Sequence, residues 1–230
     1  MLAVTGGKGG TGTTVSTLGL AVALGADALA VDADWTLPNL HALAGVGRGW
    51  GGETTPPERD APRRASPRHL RCARAAAPRV LSAPPVPGDR DRGAVLRRLA
   101  TREAPTVVDT PSGVGPQAVG PLRAADGAVV VTTQCASALR GARKTATIAD
   151  AVDTPVIAVV VTRTARVPAA VSRQFDAPAR AVPAADPPVL ADERVMAGYD
   201  RVATVIREAT RDGGGEKRTT ATGPADDGQT

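Results

Sequence analysis

Apolar residues in this chain gather in short unbroken runs instead of alternating with polar ones. Leu2-Ala3-Val4, Ala28 to Val31, Val107-Val108, Ala128 to Val131 and Val156 to Val161 are each closed by Thr, Asp or Gly. Runs of that length and Val content are what strands buried on both faces require. They predict strands at Met1–Thr5, Ala28–Asp32, Thr106–Asp109, Ala128–Thr133 and Val156–Thr162, with a shorter one at Arg79–Ser82 and a weak one at Ala181-Val182. Helical spacing fills the intervals. From Thr13 to Gly25, Val15, Leu18 and Val22 recur three and four apart, Leu20 and Leu24 lie nearby, and Gly25 supplies the stop. Further helices are expected over Gly88–Arg102, Ser137–Val152 and Asp192–Arg211, the last capped by Asp192. Strands alternating with helices imply an α/β fold, a doubly wound and mostly parallel sheet with helices on both faces.

Composition narrows the class. At 230 residues the chain can bury one sizeable core, with no room for a second large domain. Trp35, Trp50, Phe175 and Tyr199 are its only aromatics, so the core must be built from Val, Leu, Ile and Ala. Cys72 and Cys135 lie far apart, which excludes a disulfide framework, a zinc site and a bridging iron–sulfur cluster; both are expected as small buried or half-buried hydrophobes. His41 and His69 have no ligand-spaced partner. The first apolar run meets a glycine loop within five residues, so neither a signal peptide nor a span begins there, and a cytoplasmic location is expected.

Charge changes the picture in one place. The net charge is +5, and of 28 basic residues only Lys8, Lys144 and Lys217 are lysine. Between Arg59 and Arg79 stand Arg63, Arg64, Arg68, Arg71 and Arg74 against a single acid, Asp60, in a stretch broken by prolines. That composition reads as a solvated, poorly ordered insert at about 48–78. Its alternative is a weak electrostatic contact with nucleic acid or an acidic partner. No aromatic is interleaved there for base stacking. The domain is expected over residues 1–211, followed by a disordered tail at 212–230 that is rich in Gly, Thr and Asp.

The chemistry lies in the loop after the first strand. Gly6-Gly7-Lys8-Gly9-Gly10-Thr11-Gly12-Thr13-Thr14 joins a strand to a helix, where glycines let backbone N–H groups close around a phosphate at the helix N-terminus. The segment Lys8 to Thr14 resembles the deviant Walker A loop, K-G-G-x-G-K-T, of the MinD/ParA superfamily of P-loop ATPases. Three further segments resemble that superfamily in order and spacing. These are Val31-Asp32-Ala33-Asp34, the Walker B and switch II stretch Val108-Asp109-Thr110-Pro111-Ser112-Gly113, and the strand and helix from Ala125 through Arg140 to Lys144. The resemblance implies a P-loop NTPase fold and binding of ATP with Mg²⁺ by Gly7, Lys8, Gly9, Gly10, Thr11, Gly12, Thr13 and Thr14. It gives Thr14, Asp32 and Asp109 to the metal and its waters, and Lys8 and Asp34 to catalysis, Lys8 by reaching the nucleotide of a partner subunit in a homodimer. It also implies a switch in cell division, partitioning or positioning.

The chain departs from the pattern in three ways. Thr13 stands where the superfamily carries its second lysine, which implies weak or lost hydrolysis, or a regulatory protein with no turnover. Thr162-Arg163 stands where Asn-Arg is usual, leaving ATP against GTP open. The C-terminal residues lack the amphipathic anchor helix of MinD-type members, so no membrane anchor is expected. A competing fingerprint occupies the same residues. Gly7-Lys8-Gly9-Gly10-Thr11-Gly12 satisfies G-x-G-x-x-G, and Asp32 follows twenty residues after Gly12, as in NAD(P)-binding Rossmann proteins.

Overall fold

A computed structural model describes residues 1–47, 62–65, 70–74, 77–82, 92–113 and 115–216. Its elements in chain order are β1 (Leu2–Thr5), α1 (Thr13–Leu24), β2 (Leu29–Asp32), α2 (Leu40–Leu43), β3 (Arg63–Arg64), β4 (Arg79–Leu81), α3 (Arg92–Ala100), β5 (Thr106–Asp109), α4 (Pro116–Ala124), β6 (Gly127–Thr132), α5 (Ala136–Ala151), β7 (Val156–Thr162), α6 (Ala169–Ser172), β8 (Ala179–Val182) and α7 (Glu193–Glu216). The strands form one eight-stranded sheet in the order β3-β4-β2-β5-β1-β6-β7-β8. All pairs are parallel except β3 with β4. β1 lies between β5 and β6, so the loop that follows it opens at the middle of the sheet.

Helices cover both faces because the central strands are apolar on both. Leu2, Val4, Val107 and Val129 pack with Leu18 of α1 and Met196, Tyr199 and Val202 of α7. On the other face Val31 and Val108 meet Leu96 and Leu99 of α3, while Ala3 and Ala128 meet Leu122 of α4 and Ala149 of α5. α1 and α7 approach unusually closely. A Cβ built on Gly19 would stand 2.3 Å from the Tyr199 ring. The Tyr199 hydroxyl and Ser16 Oγ are 3.2 Å apart, which satisfies a phenol buried among aliphatic side chains.

Several expectations shift. The expected helix over Gly88–Arg102 is described as α3, Arg92–Ala100, and residues 88–91 lie outside the described residues. The C-terminal helix runs on to Glu216, past the expected end at Arg211, and residues 217–230 lie outside the description. The weak strand is longer, Ala179–Val182, because it pairs in full register with β7. α4 has no strong sequence signal: Gly120 and Pro121 sit inside it. It forms because Pro116 suits the first turn and because Ala118 and Leu122 are buried.

The Arg/Pro-rich insert is more structured than its composition suggests. Residues 48–61, 66–69 and 75–76 lie outside the description, but Arg63-Arg64 forms the antiparallel edge strand, and Ala65 and Leu70 are buried in the main core. Arg74 is paired with Asp200 at 2.7 Å and Glu193 at 3.2 Å, which pins this segment to α7. Cys72 is half-buried as expected, whereas Cys135 is exposed. Among the described residues no helix is long and apolar enough to cross a membrane.

Gly19→Ala is expected to destabilise the fold by about 1–3 kcal/mol through overpacking against Tyr199. At about 2–4 °C per kcal/mol for a chain of this size, that is a readily measured fall in Tm. An unchanged melting curve would refute the tight α1–α7 contact.

Candidate functional site

The ends of β1, β2 and β5 place three groups side by side: the glycine loop, Asp32 and Asp109. Asp32 and Asp109 are register partners on neighbouring parallel strands. Both are nearly inaccessible, at 1% and 4% exposure. Burial pushes the Asp109 carboxyl up to about 8, with the neighbouring Asp32 charge adding to the rise, although hydrogen bonds from Thr14 and Thr17 pull against it. Burial likewise raises Asp32 to about 6 against the backbone N–H groups of Leu40 and Asp34, which donate at 3.1 Å each. Asp34 accepts from the N–H groups of Thr36 at 3.2 Å and Leu37 at 3.0 Å. The two acids after β2 thus fold the next segment back on itself.

The loop itself is built for close approach. Gly10 (φ 79°) and Gly12 (φ 93°) adopt left-handed conformations that strain any side chain. Gly7 packs directly on the backbone of Gly141 in α5; a Cβ there would fall 1.9 Å from the Gly141 carbonyl carbon. α1 begins at Thr13 with no side-chain cap and no acid in its first turn. Its N-terminal N–H groups and positive dipole end therefore face the loop's concavity, the arrangement that receives a phosphate. Thr13 Oγ1 is 3.4 Å from Thr11 Oγ1, and both hydroxyls crowd Gly6. Position 13 thus contributes a neutral hydroxyl turned in toward the loop.

Four contacts brace the loop. Lys8 Nζ donates to Ser137 Oγ of the same chain at 3.1 Å. Thr162 Oγ1 donates to the Thr11 carbonyl at 2.8 Å, and Arg163 donates to the Gly10 carbonyl at 2.8 Å. The Asn-Arg position that departs from the usual pattern is therefore a loop clamp. From the switch II side, Gly113 N–H donates to the Gly6 carbonyl at 2.9 Å. Cys135, at the N-cap of α5, stands 3.3 Å from Ser137 Oγ, and the hydrogen bond from Ser137 and the nearby amides lower its thiol to about 7. It is a solvent-facing thiol beside the loop, not the small hydrophobe expected.

Of the anticipated loop residues, Gly7 to Gly12 lie in one strand-to-helix turn and Thr13 and Thr14 open α1, and Thr14, Asp32, Asp34 and Asp109 converge at its base. Sequence reasoning did not find Thr17 or the partnership of Lys8 with Ser137. Thr17 had a signal, since it follows Thr13 by one helical turn and accepts the same facing. Ser137 had none, standing 129 positions from Lys8.

Residues 2–176 match the protein family described as CbiA, the CobQ/CobB/MinD/ParA nucleotide binding domain. The chain belongs to this family. No curated protein matches it in sequence. Among solved structures, the MinD septum site-determining protein of Pyrococcus horikoshii, complexed with Mg-ADP, superposes with a TM-score of 0.73 at 20% identity, covering 91% of this chain and 96% of that one. A chain of the MinC:MinD cell division protein complex of Aquifex aeolicus gives 0.66 at 19% identity over 98% of both chains. A ParA family ATPase of Chlorobium tepidum gives 0.60 at 16% identity, covering 91% and 92%. This CbiA-family chain therefore has the P-loop NTPase fold of MinD. In that fold Asp32 is buried, and each of its oxygens accepts one backbone N–H group.

The two raised carboxyls make the metal-free fold pH-sensitive. Below the ordinary carboxylate value of 3.8, Asp109 is protonated folded or unfolded and costs nothing. As pH rises toward 8 the unfolded chain ionises first, so stability is lost across that interval. Asp109→Asn should therefore melt higher than the unmodified protein at pH 8 in chelator, the gap closing toward pH 4. Asp32 acts with the same sign up to about 6. A gap that does not change with pH would contradict this burial of charge.

Proposed function

We propose that this chain binds a nucleoside triphosphate, ATP in the first instance, together with Mg²⁺, and acts as a nucleotide-dependent switch whose hydrolysis is slow or absent. One observation carries the reading. An uncapped helix N-terminus and a glycine loop stand directly over two buried carboxylates and two hydroxyls, while position 13 has no cation. The donor set is all oxygen, from Thr14, Asp32 and Asp109, the hard-ligand chemistry that suits Mg²⁺. Bound there, the ion would supply charge neutralisation for the phosphates and would compensate the buried charge of Asp109. Thr14 would be its direct ligand, with Asp32 and Asp109 holding its water shell. Gly7 to Thr13 would wrap the phosphates. Asp34, anchored by the turn it caps, would face the attacking water.

What position 13 lacks sets the rate. A P-loop lysine neutralises charge on the transferred phosphate, and losing such a contact costs on the order of 2–4 kcal/mol, or roughly 10²–10³ in rate. A cell-division, partitioning or positioning role, cytoplasmic like the chain's expected location, rests on what the similar MinD and ParA proteins are named for. The runner-up is a regulatory protein that binds nucleotide without turning it over.

Calorimetric titration with ATP, GTP and NAD(P), with Mg²⁺ and then with chelator, tests the reading. The expected result is Mg²⁺-dependent triphosphate binding, lost in Thr14→Ala, with turnover near background that Thr13→Lys partly restores. Brisk hydrolysis by the unmodified protein, or chelator-indifferent NAD(P) binding that needs Asp32, would sink it.

Lys8 is the lysine of the loop itself, and its tie to Ser137 holds it within its own chain. Homodimerisation with a triphosphate requires it to exchange that hydroxyl for the partner's phosphates. Light scattering with a non-hydrolysable ATP analogue should show a dimer that Lys8→Ala abolishes. Unchanged mass and affinity in Lys8→Ala would remove the role.

A further inference from the structure

A second concavity lies apart from the glycine loop. Between α3 and α4 runs a groove of 490 Å³ with Trp35, Leu96 and Ala124 among its lining residues and Arg92, Arg97 and Arg123 along it. No loop residue and no carboxylate lines it among the described residues. Arg92 stacks over the Trp35 ring with its guanidinium carbon 5.6 Å from the centroid. A guanidinium drawn to an aromatic ring at that distance keeps N–H groups available to a carboxylate. Arg123 is exposed on the opposite wall. On that wall Pro121 sits inside α4, so the Gln117 carbonyl lacks its usual donor four residues on. The groove thus combines an apolar floor with a cationic rim.

We propose that this groove docks a short acidic peptide segment of a partner protein. One apolar side chain would cover Trp35 and Leu96, and flanking carboxylates would meet Arg92 and Arg123. Charge complementarity and the apolar floor together favour this occupant. A free phosphate would satisfy the arginines and leave the floor uncovered, and a basic segment would be repelled. The volume suits one or two side chains of an extended segment. Docking there does not require a nucleotide. It would nevertheless touch the turn after Asp34, because Trp35 adjoins Asp34, and Thr36 Oγ1 donates to the Gln117 side chain at 3.0 Å.

Calorimetry on the full chain without nucleotide tests the site, with acetylated and amidated Glu-Asp-Leu-Phe-Asp-Glu as the probe. Lys-Arg-Leu-Phe-Arg-Lys and inorganic phosphate serve as comparison ligands. The acidic peptide should bind saturably and more weakly as salt rises. Arg123→Glu, at an exposed position, should weaken it at least roughly tenfold. A Cβ on Gly120 meets nothing within 4 Å, so Gly120→Phe should fill the groove and abolish binding while Gly120→Ala binds as the unmodified chain does. Melting curves of the three variants check that each is folded. No saturable binding, equal affinity for the basic peptide, full displacement by millimolar phosphate, or undiminished binding by folded Gly120→Phe would each overturn the proposal.

Discussion

Two carboxylates held side by side out of water are the constraint around which the centre of this molecule is arranged. Asp32 and Asp109 end adjacent parallel strands in register, and neither can move away without breaking the pairing of β2 with β5. An isolated buried carboxylate either finds donors or gives up its charge. Asp32 recruits the amides of Asp34 and Leu40, and in doing so fixes the path of the chain leaving β2. Asp109 has the hydroxyls of Thr14 and Thr17 and little else, and it keeps its proton near neutrality. A sheet stabilised only for its own sake would place valine at both positions. Retaining acids there makes the fold lose stability as pH rises through the interval in which the unfolded chain ionises first.

The loop above depends on those same strands for its shape and on glycine for its proximity to other elements. Gly7 against Gly141 brings α5 within backbone contact of the loop, and this contact puts Ser137 within reach of Lys8. Arg163 and Thr162 hold the loop's carbonyls from the β7 side. Carbonyls engaged outward leave the N–H groups of the turn directed inward, so the bracing and the phosphate-binding geometry are one arrangement. Thr13 fits it without charge, its hydroxyl packed beside Thr11.

The sheet was legible in the sequence because every central strand is a compact Val-rich run, and buried parallel strands leave little alternative for such runs. The loop and its acids were legible because the chemistry is local: glycines, a lysine and a hydroxyl within nine residues, and Asp at strand ends. What escaped was decided at long range. α4 contains Gly120 and Pro121, and only the burial of Ala118 and Leu122 makes it a helix. Arg63-Arg64 carries no strand pattern and pairs because β4 presents an open edge. Arg74 reads as one more solvated arginine until α7 brings Asp200 and Glu193 to it. Cys135 reads as a small hydrophobe until the N-terminus of α5 turns it to solvent beside Lys8.

Trp35 joins these levels. In a chain with so few aromatics, a tryptophan one residue after Asp34 is expensive to place, and it is largely buried under the Arg92 guanidinium instead of in the main core. Its neighbours on one side are Leu96 and Leu99 of α3, and on the other the chain runs into the turn capped by Asp34. Movement of that turn would therefore displace the floor of the α3–α4 groove, while Thr36 would carry the same movement to Gln117 on its wall. Occupancy of the groove and the path of the turn after Asp34 would share that one ring. By linkage, whatever stabilises one arrangement of that ring at either place must bias it at the other by the same free energy.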